Sequence, residues 1–157
     1  MRVNLTVPAP LKDEHDALRD ELAALIGRPG AVGAAARAVA TALQEHFARE
    51  KNYALPPLSL LPEVARGAFT TEMGAVTAMT DNLKAQLPIM LAEHRRIAVA
   101  AAKLADAGRQ AGEPAASRFA KKLLAHARIA ELVLYPAAIL VGETVRRRMR
   151  ERAPAIL

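Results

Sequence analysis

The stretch LLAHARIAELVLYP, Leu123–Pro136, sets one histidine and one glutamate in a run of leucine, isoleucine, valine and alanine. Leucine and alanine favour helix, and an imidazole and a carboxylate carried into an apolar core cost several kcal/mol together unless each finds a partner. The stretch therefore asks for a helix whose inner face carries chemistry. The same combination occurs earlier in the chain. EHFAREKNYALP at 45–56 matches AHARIAELVLYP at 125–136, and DEHDAL at 13–18 matches AEHRRI at 92–97, at offsets of 80 and 79 residues. An internal repeat at a fixed offset changes every later inference: the chain reads as two corresponding halves.

Working outward, apolar residues at Leu11, Leu18, Leu22, Leu25 and Ile26 recur at helical steps and predict a first helix from about Pro10 to Gly27, ended by GRPG at 27–30. A second helix is predicted from Val32 through Ala54, stopped by Leu55-Pro56-Pro57, with a loop or short helix between Pro56 and Gly67. A third runs from Phe69 or Thr70 to Ala107, with Asp81 as an internal restart and Pro88 as a kink. A fourth begins at Pro114 or Ala115, where proline suits the first turn, and runs to Tyr135, with Pro136 bending or interrupting it. Hydrophobic residues make up 52% of the chain and aromatics only 3%, a balance dominated by alanine and leucine that favours helix over strand. The expected fold is all-α: an antiparallel up-down four-helix bundle with an internal two-fold repeat and a C-terminal helical extension. At 157 residues one domain is expected, with its core at about 10–140 and a basic helical tail at 141–157.

Several classes of function fall away. There is no cysteine, which removes disulfides, thiolate metal sites and cysteine nucleophiles. The glycines are scattered, so no phosphate-cradling loop is formed, and Ser59 and Ser117 have no histidine at triad spacing. Net charge is +6, but Arg146, Arg147, Arg148, Arg150 and Arg152 account for most of it. They read as a solvated helix end complementing the carbonyl pole of the dipole, and without stacking aromatics a nucleic-acid partner is not favoured. MRVNLTVPAP has no apolar run of signal-peptide length, and no later stretch reaches eighteen apolar residues free of charge. A cytoplasmic protein without a transmembrane segment is expected; a homodimer is compatible with the sequence.

The repeat pairs all four histidines, His15 with His94 and His46 with His126. Each lies on its helix's apolar face: His15 with Leu11, Leu18 and Leu22; His46 with Val39, Leu43 and Tyr53; His94 with Leu87, Met90, Leu91 and Ile97; His126 with Phe119, Leu123, Ile129 and Val133. One inward histidine is usually a hydrogen-bonded core residue. Four, one per bundle helix, are the arrangement from which a bundle builds a metal site. Glu50 follows His46 by four residues and shares its face. Glu131 follows His126 by five, an angular step of about 140° that demands a bridging reach, a wide turn or a rotated helix, while Ala130 stands where the repeat would place a glutamate. Glu14 and Glu93 flank the histidines and are expected beside the site or paired with arginines. Tyr53 and Tyr135 read as core aromatics, and Met73, Met79 and Met90 as core filler.

The series His15, His46-xxx-Glu50, His94, His126-xxxx-Glu131 followed by Leu134-Tyr135-Pro136 resembles the hemerythrin-like, or HHE cation-binding, domains over about residues 10–140. What the resemblance implies is a four-helix bundle with a non-haem di-iron centre. His15 and His46 would serve one iron, His94 and His126 the other, and Glu50 and Glu131 would bridge, with oxo or hydroxo groups completing the shells. Ala98 stands where oxygen carriers of that family have a further histidine. The resemblance also implies a small ligand such as O2, NO or peroxide, bound or sensed, or else a role in handling iron. Nitrogen and oxygen donors suit iron, with manganese or zinc as alternatives. Two other readings stay open: a di-iron peroxidase or oxidase, and a helical interaction module that has lost its metal.

Overall fold

The structure is a computed structural model that describes residues 3–153; the expected tail residues 154–157 and the first two residues lie outside the described part. Its elements are helices, and no strand occurs among the described residues. Helix α1 spans Ala9–Ile26 and α2 Gly30–Arg49, continued by a π turn at Glu50–Ala54. A 3-10 turn, Pro56–Leu60, leads into the short helix α3, Leu61–Ala65, and a second 3-10 turn, Thr71–Ala75, opens α4, Val76–Ala111. Helix α5, Pro114–Ile129, passes through a second π turn, Ala130–Leu134, directly into α6, Tyr135–Arg152.

These boundaries follow from the local chemistry. Proline sits in the first turn of α1 and α5, where its missing N–H is one that a helix start leaves unpaired anyway. Gly112 ends α4 with φ 66°, a left-handed cap that a side chain would resist. The expected restart at Asp81 does not occur, because α4 is one helix from Val76 onward and runs through Pro88. Pro136 neither ends nor interrupts the fourth helix. The π turn immediately before it already widens the hydrogen-bond ladder where proline would leave a donor missing.

Helix α1 packs on α2 and α5, α2 on α1 and α4, and α4 on α2 and α5, so the four long helices close into a bundle around one interior. One apolar cluster fills the end holding Leu22, Val39, Phe47, Ile97, Leu104 and Phe119. A second holds Leu55, Leu83, Met90, Ala130, Tyr135 and Ala138. The histidines lie in the layer between them: His46 adjoins Phe47 in sequence, and His94 stands on α4 between Met90 of one cluster and Ile97 of the other.

The continuous rod Pro114–Arg152 is long and apolar enough, by length and composition, to cross a membrane, which the sequence reading did not anticipate. Its inner side packs Tyr135, Ala138, Val141 and Val145 into the clusters, while Leu132, Val133 and Leu140 remain more than half exposed. At its end Arg146 donates to Asp81 at 2.6 Å, Arg152 to the Phe69 carbonyl at 3.0 Å, and the Arg148 guanidinium lies 5.2 Å from the centre of the Phe69 ring.

Candidate metal centre

All four imidazoles are buried, one from each of α1, α2, α4 and α5. Between them stands Glu50, the first residue of the π turn that prolongs α2, with no exposed surface. Its two oxygens face different pairs. Oε2 lies 2.9 Å from Nε2 of His15 and 3.4 Å from Nε2 of His126; Oε1 lies 3.4 Å from Nε2 of His46 and 2.5 Å from the hydroxyl of Tyr135, which donates to it. Nε2 of His94 is 2.9 Å from Nε2 of His46 and 3.4 Å from the same hydroxyl. The result is two triads sharing one carboxylate, His15–Glu50–His126 and His46–Glu50–His94, in each of which three ligand atoms lie within 4.8 Å of one another.

The outer ring nitrogens meet a second set of carboxylates. Nδ1 of His126 is 3.1 Å from Glu14, Nδ1 of His46 is 3.3 Å from Glu93, and Nδ1 of His94 is 2.7 Å from Glu131. Glu93 also faces Nε of Arg49 at 2.9 Å. A carboxylate that pairs with the outer nitrogen, as Glu14 does with His126 and Glu131 with His94, favours the proton on Nδ1 and leaves Nε2 as the nitrogen for a metal; the approach of Glu93 to His46 is not a hydrogen bond. Among the described residues the buried polar side chains are the four histidines, Glu50, Glu93 and Thr80, so apart from Thr80 every one belongs to this cluster.

Burial pushes the Glu50 carboxyl up, but the His126, His15 and His46 imidazoles beside it outweigh that and hold the group well below the usual carboxylate range. Burial lowers His94 and wins over the opposing Glu131, so its neutral form is favoured. For His126 burial also acts downward, yet Glu50 and Glu14 prevail and raise it. Tyr135 is pushed up by burial and then by the neighbouring Glu50, so its proton stays on the phenol.

Residues 6–138 match the family described as the Hemerythrin HHE cation binding domain. The chain belongs to that family. No curated protein and no solved structure matches it.

In this HHE domain the grouping of donors differs from the one that the resemblance implies. His15 stands with His126 and His46 with His94, so each triad joins an imidazole from α1 or α2 to one from α5 or α4. Glu131 is not brought to the shared interior. Its side chain is 39% exposed and turned to the outer nitrogen of His94. The position that does face Glu50's interior on that helix is Ala130, which has no exposed surface, since the π turn starts there and comes too late to swing residue 131 inward.

Ile129 and Val133, expected in line with His126, are half exposed. Beyond Ala130 the buried stripe resumes at Tyr135, Ala138 and Val141. Tyr135 is the functional side chain that sequence reasoning passed over as a core aromatic. In an unbroken α-helix nine residues from His126 would turn it about 180° away, and only the π turn returns it to the cluster. The available signal was the paired proline: Pro56 and Pro136 sit at equivalent places, each just after a wide turn.

The donor set fits a metal. Nε2 of His15 is buried without a hydrogen bond, the 2.9 Å approach of Glu50 being out of line. Four nitrogens, a carboxylate presenting one oxygen to each pair and a nearby phenol form a mixed N/O set that suits first-row divalent metals.

Proposed function

We propose that this HHE domain holds two non-haem iron ions, one at His15 and His126, the other at His46 and His94, with Glu50 shared between them. The observation that carries the reading is the division of Glu50, Oε2 toward one imidazole pair and Oε1 toward the other. Bound iron would supply an exchangeable position for a small oxidant or gas such as O2, NO or peroxide, to be bound or sensed; the same centre suits the handling of iron itself, and manganese or zinc compete for it. The chain's own groups do the rest. Glu14 and Glu131 hold the outer nitrogens of His126 and His94, Glu93 stands beside that of His46, and the Tyr135 hydroxyl pins Oε1 of Glu50. The reading includes a duplicated, up-down antiparallel bundle. It is supported by the contact of Glu14 with His126 and its counterpart, Glu93 with His46, because both partners correspond across the repeat.

Anaerobic loading with Fe(II), exposure to air and measurement of iron per chain test the proposal. The wild type is expected to take up two irons and to colour, whereas Glu50→Gln, which keeps shape and loses charge, is expected to retain one at most. A wild-type chain that stays colourless and iron-free removes the reading; full iron uptake by the variant removes the shared carboxylate.

A further inference from the structure

A cavity of about 490 Å³ opens between the segment ahead of α1, α1 itself and the π turn Glu50–Ala54, and His15 forms part of its wall. Its lining carries three cations, Lys12, Arg19 and Lys51, against one carboxylate, Asp16. Lys12 donates to Asp16 at 2.7 Å and Arg19 lies 3.6 Å from the same group, while Lys51 makes no ion pair among the described residues. The lining therefore keeps an excess of positive charge beside the His15 imidazole.

The His94 side carries a carboxylate at the corresponding place. The residue that corresponds to Lys51 in the second half is Glu131, whose carboxylate stands 2.7 Å from Nδ1 of His94. Nδ1 of His15 has no such carboxylate among the described residues. The repeat has thus conserved the imidazoles and reversed the charge beside them.

We propose that small inorganic anions reach the centre through this cavity, at the His15 end, drawn by Lys51 and its cationic neighbours. The proposal rests on the metal reading above and makes the two halves of the centre chemically inequivalent. Charges within about 10 Å of a path act on it at 0.1 M salt, and steering of this kind raises association rates and fades with ionic strength. A neutral gas feels none of it.

The test is stopped-flow absorbance of the iron-loaded full chain mixed with sodium azide or with NO, at low and high salt. Lys51→Glu is expected to slow azide association about tenfold at low salt and to flatten its salt dependence, with NO association unchanged; Lys51→Gln should fall between. Equal azide rates in wild type and Lys51→Glu overturn the proposal, as does an equal slowing of azide and NO, which would make the cause steric. A chain that takes up no iron overturns the metal reading and this proposal with it, whereas iron uptake with charge-blind azide binding overturns this proposal alone.

Discussion

Glu50 has no exposed surface yet keeps its negative charge, because three imidazoles stand within hydrogen-bonding range of its two oxygens and outweigh the cost of burial. Tyr135 adds a donor to the same carboxylate at 2.5 Å. A hydrogen bond to a charged group contributes more than one between neutral groups, and removing only the hydroxyl keeps the packing of the ring. Tyr135→Phe is therefore expected to fold normally and to lower the stability of the metal-free chain by about 1–3 kcal/mol, measured by urea unfolding; an unchanged midpoint would show that the bond is not made in solution. The residue fills a gap left by Ala130, which occupies the place equivalent to Glu50 in the second half. Glu50 supplies the carboxylate and Tyr135 the phenol that grips it.

The elements that make this meeting happen are the π turns. Each begins at the residue four past a histidine, Glu50 and Ala130, and each shifts the inward stripe by one residue, bringing Leu55 and Tyr135 to the interior at equivalent positions. Helix α6, aimed by the second turn, then crosses α4 with almost no room to spare. A Cβ placed on Gly142 would fall 1.9 Å from Oγ1 of Thr80 and 2.6 Å from its Cβ. Overpacking of this kind costs about 1–3 kcal/mol, so Gly142→Ala should lower the thermal midpoint by roughly 2–12 °C, followed by circular dichroism. An unaffected midpoint would mean that α6 can move away from α4 freely, and that its seat does not help to hold Tyr135 in place.

For the molecule as a whole, a bundle whose buried polar layer is mostly ionisable must answer to pH. In the metal-free chain the depressed Glu50 contributes stability that is fully present above about pH 4.3, the unfolded value, and is lost as pH falls through its lower folded value. His94, also lowered, adds a loss on the acid side of about 6.5. His126 works the other way: being raised, it contributes fully below about 6.5 and loses that contribution as pH rises through its folded value. The two histidine losses lie on opposite sides of about pH 6.5 and together place a stability maximum there, while the further fall below about pH 4.3 belongs to Glu50. Thermal unfolding of the metal-free protein at pH 7, 5 and 3 should show a steeper fall toward pH 3 in wild type than in Glu50→Gln. Parallel falls would remove Glu50 as the group responsible.

Much of this was legible before any coordinates. Helical periodicity, proline and glycine placement and the scarcity of aromatics give an all-helical chain, and the four histidines on apolar faces give a buried cluster that Glu50 joins, because residues four apart share a helix face. The family likeness carried by His15, His46, Glu50, His94 and His126 rests on the same short-range regularity. What lay beyond the sequence were matters of rotation and adjacency. Whether Glu131 or Tyr135 faces inward depends on where the π turn starts, and one added residue per turn is invisible to a periodicity of 3.6. Which imidazole stands with which is decided by how side chains from different helices meet in the interior, since each helix has two neighbours in the ring and local propensity does not choose between them. The sequence by itself determined the helices and the chemistry that they carry; the tertiary structure alone decided which groups meet, since contacts between distant segments come from how the helices pack together.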